Sequence, residues 1–152
     1  MATELSAGEP RISPYLAYLD AAAAIDFLCG AFGFEERFRL PMPDGRIGHA
    51  EVAYLGHTVM LASAYDELGF VSPRMLTGVH AQIHVRVDDV DAHYRTAKAA
   101  GATIATPPQD QHGRRTYRAM DPEGHRWIFS MPLGRPSPSK ARANDEDTAP
   151  IS

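Results

Sequence analysis

Asp88–Gly101, DDVDAHYRTAKAAG, reads as a capped amphipathic helix, and the chain carries the same unit once before, at Asp20–Gly33, DAAAAIDFLCGAFG. In each, aspartate stands ahead of the first apolar residues, where its carboxylate can accept a hydrogen bond from the first helical turn. Apolar side chains then recur at helical spacing. A glycine follows at the position where the backbone must turn left-handed to leave the helix. Asp20 and Asp88 are 68 positions apart, and so are Gly33 and Gly101. An offset held at both ends is an internal repeat.

Working outward, each helix sits in the same setting. Ile12–Leu19 precedes the first as a strand, with Pro14 placing part of it at an edge or near its start. Glu35–Leu40, Ile47–Tyr54 and Thr58–Ser63 follow as strands, joined by a turn at Met42–Gly45 and a tight hairpin at Gly56-His57. Ala64–Gly78 reads as a connection. Ala81–Val87 then alternates cleanly: Ile83, Val85 and Val87 on one face, Gln82, His84 and Arg86 on the other. After the second helix come a short strand, Thr103–Thr106, a loop, Pro107–Gly113, and the hairpin RTYRAMDPEGHRWIFSM, Arg115–Met131. Pro122 and Gly124 make its turn. Beyond it Trp127, Phe129 and Met131 alternate with Arg126, Ile128 and Ser130. The fold class expected is α+β: two paired βαβββ modules, 12–63 and 79–132, forming one curved mixed sheet around a concave cavity with the helices outside. Residues 1–11 are expected to be a flexible N-terminus, 12–133 the domain, and the Pro-, Ser- and charge-rich 134–152 a disordered tail.

The chain has 152 residues, enough for one domain or one domain of two similar halves. A net charge of −4 and a pI of about 5.9 argue against nucleic acid as a partner. The single cysteine, Cys29, excludes an internal disulfide and reads as a buried small hydrophobe. There is no membrane-length apolar run and no leader-like N-terminus, so the expectation is a soluble, cytoplasmic protein without a membrane partner.

The repeat, together with YLDAAAAIDFLCGAFGF, VRVDDVDAHYRTAKAAGA and RTYRAMDPEGHRW, resembles the vicinal oxygen chelate superfamily. That group includes glyoxalase I, the bleomycin-resistance proteins and the extradiol dioxygenases. The likeness covers roughly Ile12–Pro132. It implies a metal site with His, Gln or Glu ligands from four strands. The matching positions here are Ser13, the Met60–Ala62 stretch, Gln82 and Ile128 (or Phe129), of which only Gln82 can coordinate. The expectation is therefore no metal and no other cofactor. The function expected is capture of a drug or aromatic metabolite by a homodimer of the bleomycin-resistance type, without chemistry. The alternative is a metal-dependent glyoxalase-like lyase, isomerase or dioxygenase holding a divalent ion through His49, Glu51 and His84. A third reading is a metal-free acid–base enzyme using Glu51 or His84.

The ligand-binding residues expected are Tyr15, His49, Glu51, Gln82, His84, Arg86, Tyr117 and Ile128. With Ala17 and Ser130, most of these occupy the strand positions of the concave face. That mix of apolar surface and a few polar groups suits a polar or planar organic ligand. Catalytic candidates are Glu51 and His84, placed side by side as a general base with a raised pKa or as a pair that only satisfies each other. Trp127 reads as core. Arg114, Arg115 and Arg118 form a basic stripe, either a solvated face, a dimer contact or an anion clamp. Tyr65 and Phe70 stand where they can cover the cavity mouth.

Overall fold

The computed structural model describes residues 10–134. The expected flexible N-terminus and tail fall almost wholly outside those residues. The chain runs β1 (Tyr15–Tyr18), α1 (Ala21–Phe32), β2 (Glu35–Pro41), β3 (Ile47–Tyr54) and β4 (His57–Ser63). After a connection with two short 3-10 turns it continues as β5 (Gln82–Arg86), α2 (Val90–Ala99), β6 (Thr103–Gln111), β7 (Arg114–Met120) and β8 (Arg126–Pro132). Each half is thus a βαβββ unit.

Local chemistry explains most of the boundaries. Asp20 Oδ1 accepts from Ala23 N and Asp89 Oδ1 from Ala92 N, both at 3.0 Å, so the second cap falls one residue after Asp88. Gly33 leaves α1 at φ 83°. The β3–β4 turn is built on Leu55 and Gly56, both at positive φ, one residue earlier than expected. The largest local difference is β6. Its register shifts around Ile104–Gln109 let the strand continue past Pro107 and Pro108 to Gln111 instead of ending at Thr106.

The global arrangement corrects the expected fold. There is no single curved sheet around a cavity. The strands form two separate four-stranded sheets, ordered β1-β4-β3-β2 and β5-β8-β7-β6, and neither is closed or strongly curled. Each is mixed, with one parallel pair, β1–β4 or β5–β8. Nor do the helices lie outside a closed shell. Each covers one face of its own sheet, and the two helices pack on each other. Phe32 at the end of α1 meets Trp127 and Phe129 of β8 at centroid separations of 5.5 and 4.8 Å. The core therefore lies between the modules, and Tyr18, Ile25, Leu28, Val87, Val90 and Trp127 are fully buried in it. Burial of each large side chain of this kind contributes about 1.5–3 kcal/mol.

Polar contacts also cross this core. Glu123, in the turn before β8, accepts from Leu19 N at 2.6 Å and Asp20 N at 2.9 Å, in the corner between β1 and α1. Asp121 accepts from the Tyr18 hydroxyl at 2.6 Å and from Trp127 Nε1 at 3.1 Å. In α2, His93 Nε2 donates to the Phe32 carbonyl and Nδ1 accepts from the Tyr117 hydroxyl. Burial holds this imidazole below its ordinary value, against the smaller opposing effect of the Phe32 carbonyl.

Glu123→Ala strips the acceptor from two backbone N–H groups in the β1–α1 corner. It is expected to cost about 3 kcal/mol in urea-unfolding free energy, with Glu123→Gln retaining part of that. Stability is also expected to fall with acid through His93. Below the ordinary imidazole value near 6.5 the unfolded chain takes up a proton that the folded chain still refuses. The contribution is complete above that value and is lost as pH falls toward the depressed folded value. Urea midpoints measured from about pH 7.5 to about pH 5 should decline less steeply in His93→Gln than in the unaltered protein.

Candidate functional site

The face of each sheet turned away from its helix is open, and the two open faces differ in chemistry. On the first sheet, alternation along β2 and β3 puts Phe38 opposite Glu51 and Leu40 opposite His49. Tyr15 pairs in register with Met60. Tyr15, Phe38, Leu40 and Met42 remain 44%, 47%, 46% and 38% exposed. A pocket of about 430 Å³ opens here, lined by Tyr15, Leu40, Met42, Tyr65, Leu68 and Phe70. Tyr65 and Phe70 bond to each other through their backbones and form one wall of it. Gly48 sits under the wall: a Cβ there would lie 2.7 Å from Met42 Sδ.

At the rim of this pocket three of the expected residues form a chain. The Tyr15 hydroxyl lies 2.6 Å from His49 Nδ1, and His49 Nε2 lies 2.8 Å from Glu51 Oε2. An ionised carboxylate only accepts, so Nε2 of the neutral ring carries the proton and Nδ1 accepts from the phenol. Burial first, then the nearby Glu51 and Tyr65, raise the Tyr15 pKa, so the phenol stays a proton donor. The arrangement orients a hydroxyl through an imidazole held by a carboxylate, at the edge of an apolar pocket.

The second sheet's open face gathers another set. Gln82, His84 and Arg86 pair in register with Arg126, Ile128 and Ser130. Arg114 and Arg118 lie on the same face of β7. Arg114 Nε donates to Ser130 Oγ at 3.0 Å, and that oxygen lies 2.6 Å from His84 Nε2. Burial, then the Arg114 guanidinium, hold the His84 imidazole below its ordinary value.

The expected neighbours are only partly brought together. Tyr15, His49 and Glu51 share one face, and Gln82, His84, Arg86 and Ile128 share another. His84 pairs with Ser130 rather than with Glu51, and its pKa moves down, not up. Tyr117 turns to the opposite face of β7 and is completely buried on Phe129 and His93, so it lines neither open face. The basic stripe divides by strand alternation. Arg115 points to the helix side and binds Asp91 and Asp110, leaving Arg114 and Arg118 on the open face. Phe38 and Leu40 are not among the residues expected from sequence, because the mixed polarity of Glu35–Leu40 marks a strand without declaring which of its faces is left open. A larger groove of about 570 Å³ runs between β5 and the β3–β4 turn. It takes in His84 and Arg86 but none of the Tyr15–His49–Glu51 chain.

These donors do not make a divalent-cation site within one chain. His49 and Glu51 are two donors bonded to each other, and among the described residues no three or more His, Cys, Asp or Glu side chains converge. A stable site needs at least three. At the positions the family resemblance points to, Ile128 is aliphatic, Met60 offers only a thioether, and Ser13 Oγ is buried without a hydrogen-bond partner.

A family model described as Glyoxalase/Bleomycin resistance protein/Dioxygenase superfamily matches residues 12–129. An uncharacterised protein of Mycobacterium bovis is 41% identical over 129 residues, covering 82% of this chain and 85% of that protein. TioX from Micromonospora sp. ML1 superimposes with a TM-score of 0.64 at 34% identity, covering 84% of this chain and all of that one. A fosfomycin resistance protein from Listeria monocytogenes, solved as a mutant with Mn(II) and a dihydroxypropylphosphonic acid, shares the fold. Its TM-score is 0.60 at 17% identity, over 84% of this chain and 91% of that one.

The Tyr15–His49–Glu51 chain has a spectroscopic consequence. Long-range ¹H–¹⁵N spectra near neutral pH should show the neutral His49 ring as the Nε2–H tautomer. Glu51→Ala, which removes the carboxylate on that proton, should shift the ring toward a mixture of tautomers. A ring already mixed in the unaltered protein would contradict the geometry.

Proposed function

Because the chain belongs to the glyoxalase/bleomycin resistance protein/dioxygenase superfamily, we propose that it binds a small organic molecule between two copies of itself. The first-sheet face of one copy lies over the second-sheet face of the other. The observation that carries this reading is the apolar surface left in water around the 430 Å³ pocket: Tyr15, Phe38, Leu40 and Met42. A contiguous exposed apolar patch on a sheet face marks an interaction surface. The helices already occupy the other face of each sheet, so a single chain cannot fold one open face onto the other. A second copy can, and a two-fold pair places each face against its complement twice. The pocket's size falls within the range of small-molecule sites. On this reading the protein captures its ligand, with Tyr15 presenting a fixed hydroxyl to it.

A second reading is favoured by one contact. His49 and Glu51 already converge on the pocket rim, and His84 from a second copy would add the third donor that one chain lacks. That is the donor set of a metal-dependent lyase, isomerase or dioxygenase, and a protein of this fold is known with Mn(II).

Sedimentation velocity at micromolar concentration is expected to give a dimer. Phe38→Asp is expected to convert it to a monomer with an unchanged circular dichroism spectrum. A monomeric unaltered protein would remove the composite cavity. Elemental analysis after purification without chelator separates the two readings. Capture predicts no stoichiometric divalent metal, whereas a stoichiometric ion lost in His84→Ala establishes the second.

A further inference from the structure

Strand arginines in this protein fall into two populations. Arg37, Arg39 and Arg115 each hold a carboxylate within 4.0 Å: Glu35 for the first, Glu36 for the second, and Asp91 and Asp110 for the third. Arg86, Arg114, Arg118 and Arg126 are also on strands, and all four sit on the open face of the second sheet. Among the described residues none of these four has an acidic partner. The only polar side-chain contact in the group is Arg114 Nε on Ser130 Oγ, and Ser130 is 2% exposed. That contact is made through Nε and leaves both terminal nitrogens of Arg114 without a side-chain partner among the described residues. In β5, β7 and β8 this face carries no aspartate or glutamate: the remaining positions on it are Gln82, His84, Thr116, Met120, Ile128, Ser130 and Pro132.

In open water such a face is solvated and costs little. Closed under the first-sheet face of a second copy, it would bury four guanidinium groups against two carboxylates that are already engaged, Glu51 by His49 and Glu35 by Arg37. Desolvated charges without partners are strongly disfavoured. A neutral or cationic guest would leave that imbalance in place or worsen it. A guest with a negative group would relieve it, because guanidinium donors pair with carboxylate and phosphate oxygens in a two-pronged geometry. The opposite wall, with Tyr15, Phe38, Leu40 and Met42, takes the flat apolar part of the same molecule.

We propose that the ligand is an aromatic organic anion, its carboxylate or phospho group held by Arg86, Arg114, Arg118 and Arg126 of one copy and its ring held by the Tyr15–Phe38–Leu40 face of the other. This rests on the two-copy cavity proposed above. It adds the chemical class of the ligand and the end at which each part lies. The sheet face would then discriminate by charge, and the pocket face by shape.

Three probes of one shape test it: 2-naphthoate, 2-naphthol and 2-naphthylmethylammonium, titrated against the full-length protein by intrinsic fluorescence at low salt. Naphthoate is expected to bind at least roughly tenfold tighter than naphthol, with the ammonium weakest. Arg114→Gln with Arg118→Gln should bring naphthoate to within about twofold of naphthol while leaving naphthol unchanged, and added salt should narrow the same gap. Phe38→Ala should weaken naphthoate and naphthol together. Equal binding of all three probes, or an anion preference that survives the double arginine substitution, overturns the anion proposal and leaves the cavity standing. No binding of any probe by a protein that sediments as a dimer overturns the cavity reading and this one with it.

Discussion

The turn Asp121-Pro122-Glu123-Gly124 holds the two modules in their relation to each other. Its two carboxylates are 3% and 6% exposed, and among the described residues no cationic side chain bonds to either. They are satisfied by donors instead: Tyr18 and Trp127 on Asp121, and the Leu19 and Asp20 amides and Ser72 on Glu123. Buried carboxylates are tolerated only when their lone pairs are filled in this way. Because the donors come from the β1–α1 corner and the acceptors from the β7–β8 hairpin, every one of these bonds except those from Trp127 and Ser72 ties one module to the other. The contact also places the N-terminus of α1 beside the second sheet. Phe32 at the other end of α1 then lies over Trp127 and Phe129.

That placement decides where the open faces can be. With each helix layer consumed in the contact between modules, the opposite face of each sheet is left without cover from its own chain. The first open face is aromatic and aliphatic, with one oriented Tyr–His–Glu chain. The second is guanidinium-rich, with His84 held on Ser130. The difference is more informative than either face alone. Two apolar faces would suggest a plain oligomer contact, and two charged faces would suggest two solvated surfaces. One of each is what a cavity needs when it must hold a molecule with an apolar end and a charged end.

Several features of the site were legible residue by residue. The period of two along Gln82–Val87 assigned Gln82, His84 and Arg86 to one face, and the structure has all three there, exposed. His49 and Glu51, two residues apart on β3, share a face and bond. Tyr117 was not legible. It occupies a strand position like its neighbours, and the helix-facing side it takes becomes core only where Phe129 of β8 and Tyr94 and His93 of α2 close over it. The pairing of His84 with Glu51 failed for a related reason. Alternation specifies the side of a sheet but says nothing of which other sheet that side will meet.

The amino-acid sequence alone determined the modules: two capped helices, eight strands, their order, and the face on which most side chains emerge. These follow from interactions spanning a few residues, and spacing records such interactions directly. The tertiary structure alone decided that the modules join through helices and one acidic turn rather than through a continuous sheet. It alone decided which faces remain open. Those outcomes depend on contacts between residues about a hundred positions apart, such as Tyr18 with Asp121 and Leu19 with Glu123. A buried carboxylate's partners are chosen by where donors arrive in space, and no periodicity in the chain encodes that.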